Sequence, residues 1–152
     1  DEKRDINPLI KSKEKIAFFL EKYPNTEYAL DLKFKLDLVN NQLAAKEMYV
    51  VKYYMLTQKW IPAINRLKII VNNYSETVFI EEALHRLVEV YYKVGLTEEA
   101  KAAAAILGYN YNSSEWYAQS YKVLNKSYKI PKKSDVKKDD GLIKRTIKKI
   151  LN

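Results

Sequence analysis

The sequence predicts an all-α fold built as a helical-repeat solenoid, and three observations predict it. A four-residue phrase recurs as Tyr23-Pro24-Asn25-Thr26, Tyr74-Ser75-Glu76-Thr77 and Tyr111-Asn112-Ser113-Ser114, each time between the end of one amphipathic pattern and the start of the next. Only three glycines and four prolines punctuate 152 residues, and no alternating Val/Ile/Thr runs bounded by turns occur, which argues against a sheet protein. Apolar residues instead return at i, i+3, i+4 and i+7 along successive segments. The expected assembly is about six antiparallel helices plus a short C-terminal helix.

The first helix is expected from about Ile10 to Lys22, with Ile16, Phe19, Leu20 and Tyr23 on its buried face and Pro24 as its stop. Asn25 or Thr26 can cap the second, which reads without interruption from Glu27 to about Gln58 with Leu32, Leu36, Val39, Leu43, Val50 and Tyr54 near heptad spacing. At 1.5 Å per residue it would measure about 45 Å, enough for two successive packing partners. Pro62 suits the first turn of a third helix marked by Trp60, Ile64, Leu67 and Val71. A fourth is expected after a Thr77 cap, with Leu84, Leu87, Tyr91 and Val94 inward and Gly95 left-handed at its end. Thr97 should cap a fifth, with Glu98 and Glu99 favoured in its first turn by the helix dipole, an Ala100, Ala103, Ala104 and Leu107 face, and Gly108 as its stop. A last helix, about Ser114 to Asn125, carries Trp116, Tyr117, Tyr121 and Leu124 along one side and should cap the stack.

The third to fifth helices can be laid on the tetratricopeptide pattern. Tyr54, Ala63, Leu67 and Ile70 take its aromatic and small positions, and Leu84, Leu87, Tyr91, Ala100, Ala104 and Leu107 fill the next unit 37 residues later, near the roughly 34-residue period of that repeat. Residues 1–125 thus form a tetratricopeptide-like repeat domain. Residues 126–152 form a basic tail, with an amphipathic helix over 140–151 expected to dock on the domain.

The net charge of +8 concentrates in that tail, where ten Lys or Arg face three Asp, leaving the other 125 residues at +1. The body therefore has no basic bias toward nucleic acid. The thirteen tyrosines of the chain do not form a base-stacking surface either, because Tyr23, Tyr54, Tyr74, Tyr91 and Tyr111 fall on repeated packing or turn positions. With no cysteine there are no disulfides or thiolate ligands. No Gly-rich phosphate loop, nucleophile elbow, metal motif or paired catalytic carboxylates occur, so no catalytic residue, cofactor or metal is expected. No apolar run nears the roughly 18 residues that span a bilayer, and the initial Asp1 reads as that of a fragment or processed form lacking its targeting segment.

Several phrases resemble the BamD family, the periplasmic lipoproteins of the outer-membrane β-barrel assembly machinery. They are Tyr23-Pro24-Asn25-Thr26-Glu27-Tyr28-Ala29, Glu47-Met48-Tyr49-Val50-Val51-Lys52-Tyr53-Tyr54, Trp60 followed by Asn65-Arg66-Leu67, and Glu82-Ala83-Leu84. The most specific is the Tyr-Tyr pair ending a long helix with Asn-Arg eleven residues beyond. Ser75, standing where the family has a proline, and the tail after Asn125 depart from the pattern. The resemblance, over roughly residues 13–125, implies the C-terminal half of a helical-repeat lipoprotein at the periplasmic face of the outer membrane, whose lipid anchor this chain lacks. It implies a non-catalytic scaffold subunit that binds the membrane-proximal POTRA domain of BamA and accessory lipoproteins. The alternative is an unrelated adaptor that grips short peptides in its concave groove.

The resemblance makes Arg66 the first candidate for partner binding, paired through its planar fork with a POTRA carboxylate, and Asn65 its companion. The competing role for Arg66 is to cover apolar surface with its stem. Tyr53 and Tyr54 lie about 100° apart on one helix, so Tyr54, in the packing slot, leaves Tyr53 to face a partner. Trp60 is a further candidate contact or a staple of the turn before Pro62. Glu47 falls on the apolar seam and needs a charged partner or solvent, and His85, the single histidine, is expected at the surface or rim.

Overall fold

The computed structural model describes residues 5–125, and the expected 140–151 helix lies outside them. Six α-helices follow in order: α1 Asn7–Lys22, α2 Glu27–Leu56, α3 Trp60–Asn73, α4 Ile80–Lys93, α5 Thr97–Asn110 and α6 Glu115–Leu124. Each packs on its predecessor, and α4 also packs on α6, which closes the stack as the aromatic face of α6 foretold. This is the helical repeat expected, with no strand among the described residues.

The 30-residue α2 serves two partners in turn, its first half packed by α1 and its second by α3. Its buried residues are accordingly Ala29, Leu43, Ala44, Met48 and Val51, while the expected Leu32, Leu36, Val39, Val50 and Tyr54 are only half-buried. The main core joins Met48 and Val51 to Ile64, Leu67 and Ile70 of α3, to Ala83, Leu87 and Tyr91 of α4, and to Ala100, Ala103 and Ala104 of α5. On the other side of the first half of α2, Leu30, Phe34 and Leu38 form an i, i+4, i+8 stripe that remains 49–79% exposed. A stripe of this kind is what a stacked neighbour covers in a repeat array.

Two turns are copies of one another. Gln58 takes φ 56° after α2 and Gly95 takes φ 85° after α4. In both the next amide reaches back five residues, Lys59 N–H to Tyr54 O at 2.8 Å and Leu96 N–H to Tyr91 O at 2.9 Å. The left-handed Gly95 was legible from its type; Gln58, 37 residues earlier, carries the same conformation on a side chain that tolerates it less well. This turn fixes where Trp60 begins α3.

Several local expectations are corrected. Thr77 does not cap α4: its Oγ1 donates to Tyr74 O at 2.7 Å, tightening the turn, and α4 starts only at Ile80. Thr97 is the first helical residue of α5 rather than its cap. Ser114 does cap α6, accepting from Trp116 N–H at 3.1 Å. Gly108 lies within α5 and does not end it; a Cβ there would collide with the Tyr117 ring, so the glycine permits α5 and α6 to approach. Gly108→Val should therefore destabilise the chain by about 2 kcal/mol through overpacking, despite valine's better helix propensity. Urea unfolding reads this, and Tyr117→Ala in the same chain should recover part of the loss.

Candidate functional site

The candidate residues sit on the second half of α2 and the first half of α3, held together by the core beneath them. Antiparallel packing brings Glu47 of α2 level with Arg66 of α3, and Arg66 Nη1 donates to both carboxylate oxygens of Glu47, at 3.3 and 3.1 Å. Glu47, whose side chain is 14% exposed, finds in this pair the partner its place on the apolar seam required. Arg66 keeps 41% of its side chain in solvent, and the Glu47 contact occupies Nη1 alone. Its Nη2 edge thus remains available to a second carboxylate, already oriented by the first.

Tyr74, at the end of α3, lies near the same carboxylate. Burial, with the Glu47 charge adding to it, pushes its phenol above the ordinary tyrosine value. Lys13 of α1 sets its ammonium 4.8 Å from the centre of the Tyr74 ring. The Glu47–Arg66 pair therefore belongs to a cluster joining α1, α2 and α3.

Asn65 is exposed beside Arg66. Tyr53 points outward as its offset from Tyr54 required, 55% exposed, with its ring 5.8 Å from that of Tyr54. Trp60 is half-buried against the core edge and lies under the Lys93 ammonium, 4.9 Å from its ring centre. It also lines a groove of about 470 Å³ with Met55, Leu56 and Val90. The four candidates thus divide: Asn65 and Arg66 go with Glu47, Tyr53 with Tyr54, and Trp60 with the groove. One sequence signal for this surface went unread, the i, i+4 pair Tyr49 and Tyr53, of which Tyr49 is 42% exposed.

His85 is the clearest correction. It is 2% exposed rather than at the rim, because α6 covers it. Its Nδ1 lies 2.8 Å from Ser120 Oγ, which itself donates to Trp116 O at 2.9 Å, so the imidazole must donate to the serine. Its Nε2 stands 3.6 Å from Glu89. The Ser120–His85–Glu89 series resembles a hydrolytic triad only in composition, since Ser120 is fully buried and its hydroxyl proton is committed to a backbone carbonyl. Its role is to fasten α6 to α4.

Burial acts to raise the Glu89 carboxyl, but His85 and the Arg86 guanidinium, 2.6 Å away, override it and hold the group down at about 2. A depressed folded-state value stabilises above the unfolded value of 4.5 and loses that contribution as pH falls through about 2. Glu89→Gln should cost about 1–2 kcal/mol at pH 7, allowing for solvent screening, and only a small fraction of that at pH 2. Urea titrations at pH 7, 4 and 2 read the convergence. Among the described residues no group of carboxylates, histidines or cysteines is placed to hold a metal, and no helix is long and apolar enough to cross a membrane.

Comparison with known proteins adds a family. The sequence model of YfiO, described as an outer membrane lipoprotein, matches residues 1–106. The outer membrane protein assembly factor BamD of Rickettsia prowazekii is 41% identical over 124 residues, covering 82% of this chain and 49% of that protein. The factor of the same name from Caulobacter vibrioides is 45% identical over 106 residues, covering 70% of this chain and 35% of that protein. That from Vibrio cholerae is 27% identical over 107 residues, 70% of this chain and 44% of that protein. The chain thus spans half or less of the length of these relatives.

Proposed function

Because the chain belongs to the family of outer membrane lipoproteins that includes the BamD assembly factors, we propose that it serves as a non-catalytic scaffold in the outer-membrane β-barrel assembly complex. In this reading it works as a lipid-anchored protein at the periplasmic face of the outer membrane. Its partners are the membrane-proximal POTRA domain of BamA and accessory lipoproteins of the complex, and nucleic acid is not among them.

The observation that carries the proposal is the Arg66 guanidinium, fixed from one side by Glu47 and 41% exposed on the other. An arginine so oriented loses little side-chain freedom when it meets a second carboxylate, and a carboxylate on the POTRA surface supplies one. Asn65 adds a neighbouring amide, Tyr53 an exposed ring and Trp60 an aromatic edge at the far end of the same helix pair.

Photo-crosslinking tests the proposal in the assembled complex. A benzophenone side chain replacing Tyr53 or Asn65 should crosslink to BamA, and one replacing the exposed Lys101 on α5 should not. Equal labelling from all three positions, or none from Tyr53 and Asn65, would count against it.

A further inference from the structure

The groove beside Trp60 has a composition of its own, separate from the Glu47–Arg66 pair. Its floor is Met55, Trp60 and Val90, and Leu56, left 84% exposed at the end of α2, stands at its edge. One exposed leucine means little, but a leucine edging a concave apolar floor of this volume offers a place for an apolar side chain. The rim carries Lys52, Arg86 and Lys93 against the single acid Glu89.

Those charges are unevenly matched. Glu89 is held by Arg86 at 2.6 Å, and Glu82, behind the rim, is shared between Arg86 at 3.5 Å and Lys52 at 3.4 Å. Lys93 has no carboxylate within ion-pair distance among the described residues; its ammonium rests on the Trp60 ring. The groove therefore presents a surplus cation, backed by the only partly neutralised Lys52, directly over an apolar floor.

We propose that this groove is a second docking site, for an acidic segment of a partner protein that carries an aliphatic or aromatic anchor. The anchor would lie on Trp60 and Leu56, and the flanking carboxylates would meet Lys93 and Lys52. Charge complementarity sets the occupant: the chain's own tail, with ten basic residues against three acidic, would be repelled by the same rim. The groove shares Trp60 with the proposed POTRA surface but uses none of Asn65, Arg66 or Tyr53, so variants at those three positions separate the two contacts.

The test is fluorescence anisotropy of a fluorescein-labelled octapeptide, Glu-Leu-Glu-Phe-Glu-Leu-Glu-Glu, titrated with the 152-residue chain. Leu56→Asp and Lys93→Glu, both at exposed positions that the core does not need, should each weaken binding by about tenfold or more. The double variant Glu47→Gln/Arg66→Glu should bind as the wild type does. The same peptide with glutamine for every glutamate should bind at least about tenfold more weakly. No binding by the wild type, equal binding of the glutamine peptide, or no loss in Leu56→Asp and Lys93→Glu would overturn the proposal. So would a concentration-dependent dimer in sedimentation velocity that Leu56→Asp abolishes, since a second copy would then be the occupant.

Discussion

Arg66→Glu should lower the stability of the folded chain by about 2 kcal/mol, and adding Glu47→Gln should restore most of that loss. Glu47 is 14% exposed and its charge is answered by Arg66 Nη1. Reversing the arginine removes the answer and sets a second carboxylate beside the first, next to the half-buried Tyr74 phenol. A neutral amide at position 47 relieves the repulsion and can donate to the new carboxylate. Because Arg66 is 41% exposed, water shares the burden, and the loss falls below that of breaking a fully buried pair. Urea unfolding of the two single variants and the double variant measures the coupling directly. Charge reversal at Arg66 alone therefore confuses a lost contact with a weakened fold, and the double variant separates them.

Leu67→Ala should cost about 3 kcal/mol, the larger of the two effects on stability. The side chain is fully buried in the cluster formed by α2, α3, α4 and α5. Its neighbours Met48, Val51, Ala83 and Leu87 stand on helices that are each held by further contacts, so the cavity cannot readily collapse. Ile61→Ala, six residues earlier on α3 but 60% exposed, should cost under about 0.5 kcal/mol. An unchanged denaturant slope would show that the loss lies in the folded core rather than in the unfolded chain. A cost for Leu67→Ala no greater than that for Ile61→Ala would contradict the packing described.

The repeat was readable because its two units place equivalent residues 37 positions apart: Ala63 with Ala100, Leu67 with Ala104 and Ile70 with Leu107 are all buried. Tyr53's outward direction followed from the 100° offset between helical neighbours together with Tyr54's place in the repeat's packing slot. What escaped depends on elements distant in sequence. His85 looks like a rim residue within α4, and only α6, contributing Ser120 from 35 residues away, buries it. Glu47 and Arg66 each stood out, one as a charge in need of a partner and the other as a partner-facing cation. That they answer one another is a matter of α2–α3 register, to which neither helix's periodicity speaks. The glycine of α5 shows a different limit: Gly108 is conformationally permissive, but its use is the closeness of Tyr117, which no local pattern reports.

In the proposed complex Arg66, held by Glu47, offers its free edge to a carboxylate of the membrane-proximal POTRA domain of BamA. Isothermal titration of that isolated domain into the 152-residue chain and into the Glu47→Gln/Arg66→Glu variant tests it most directly. The prediction is that the wild-type chain binds, and that the double variant, unfolding within about 0.5 kcal/mol of the wild type, binds at least about tenfold more weakly. A wild-type chain that does not bind, or a folded double variant that binds equally well, would contradict it.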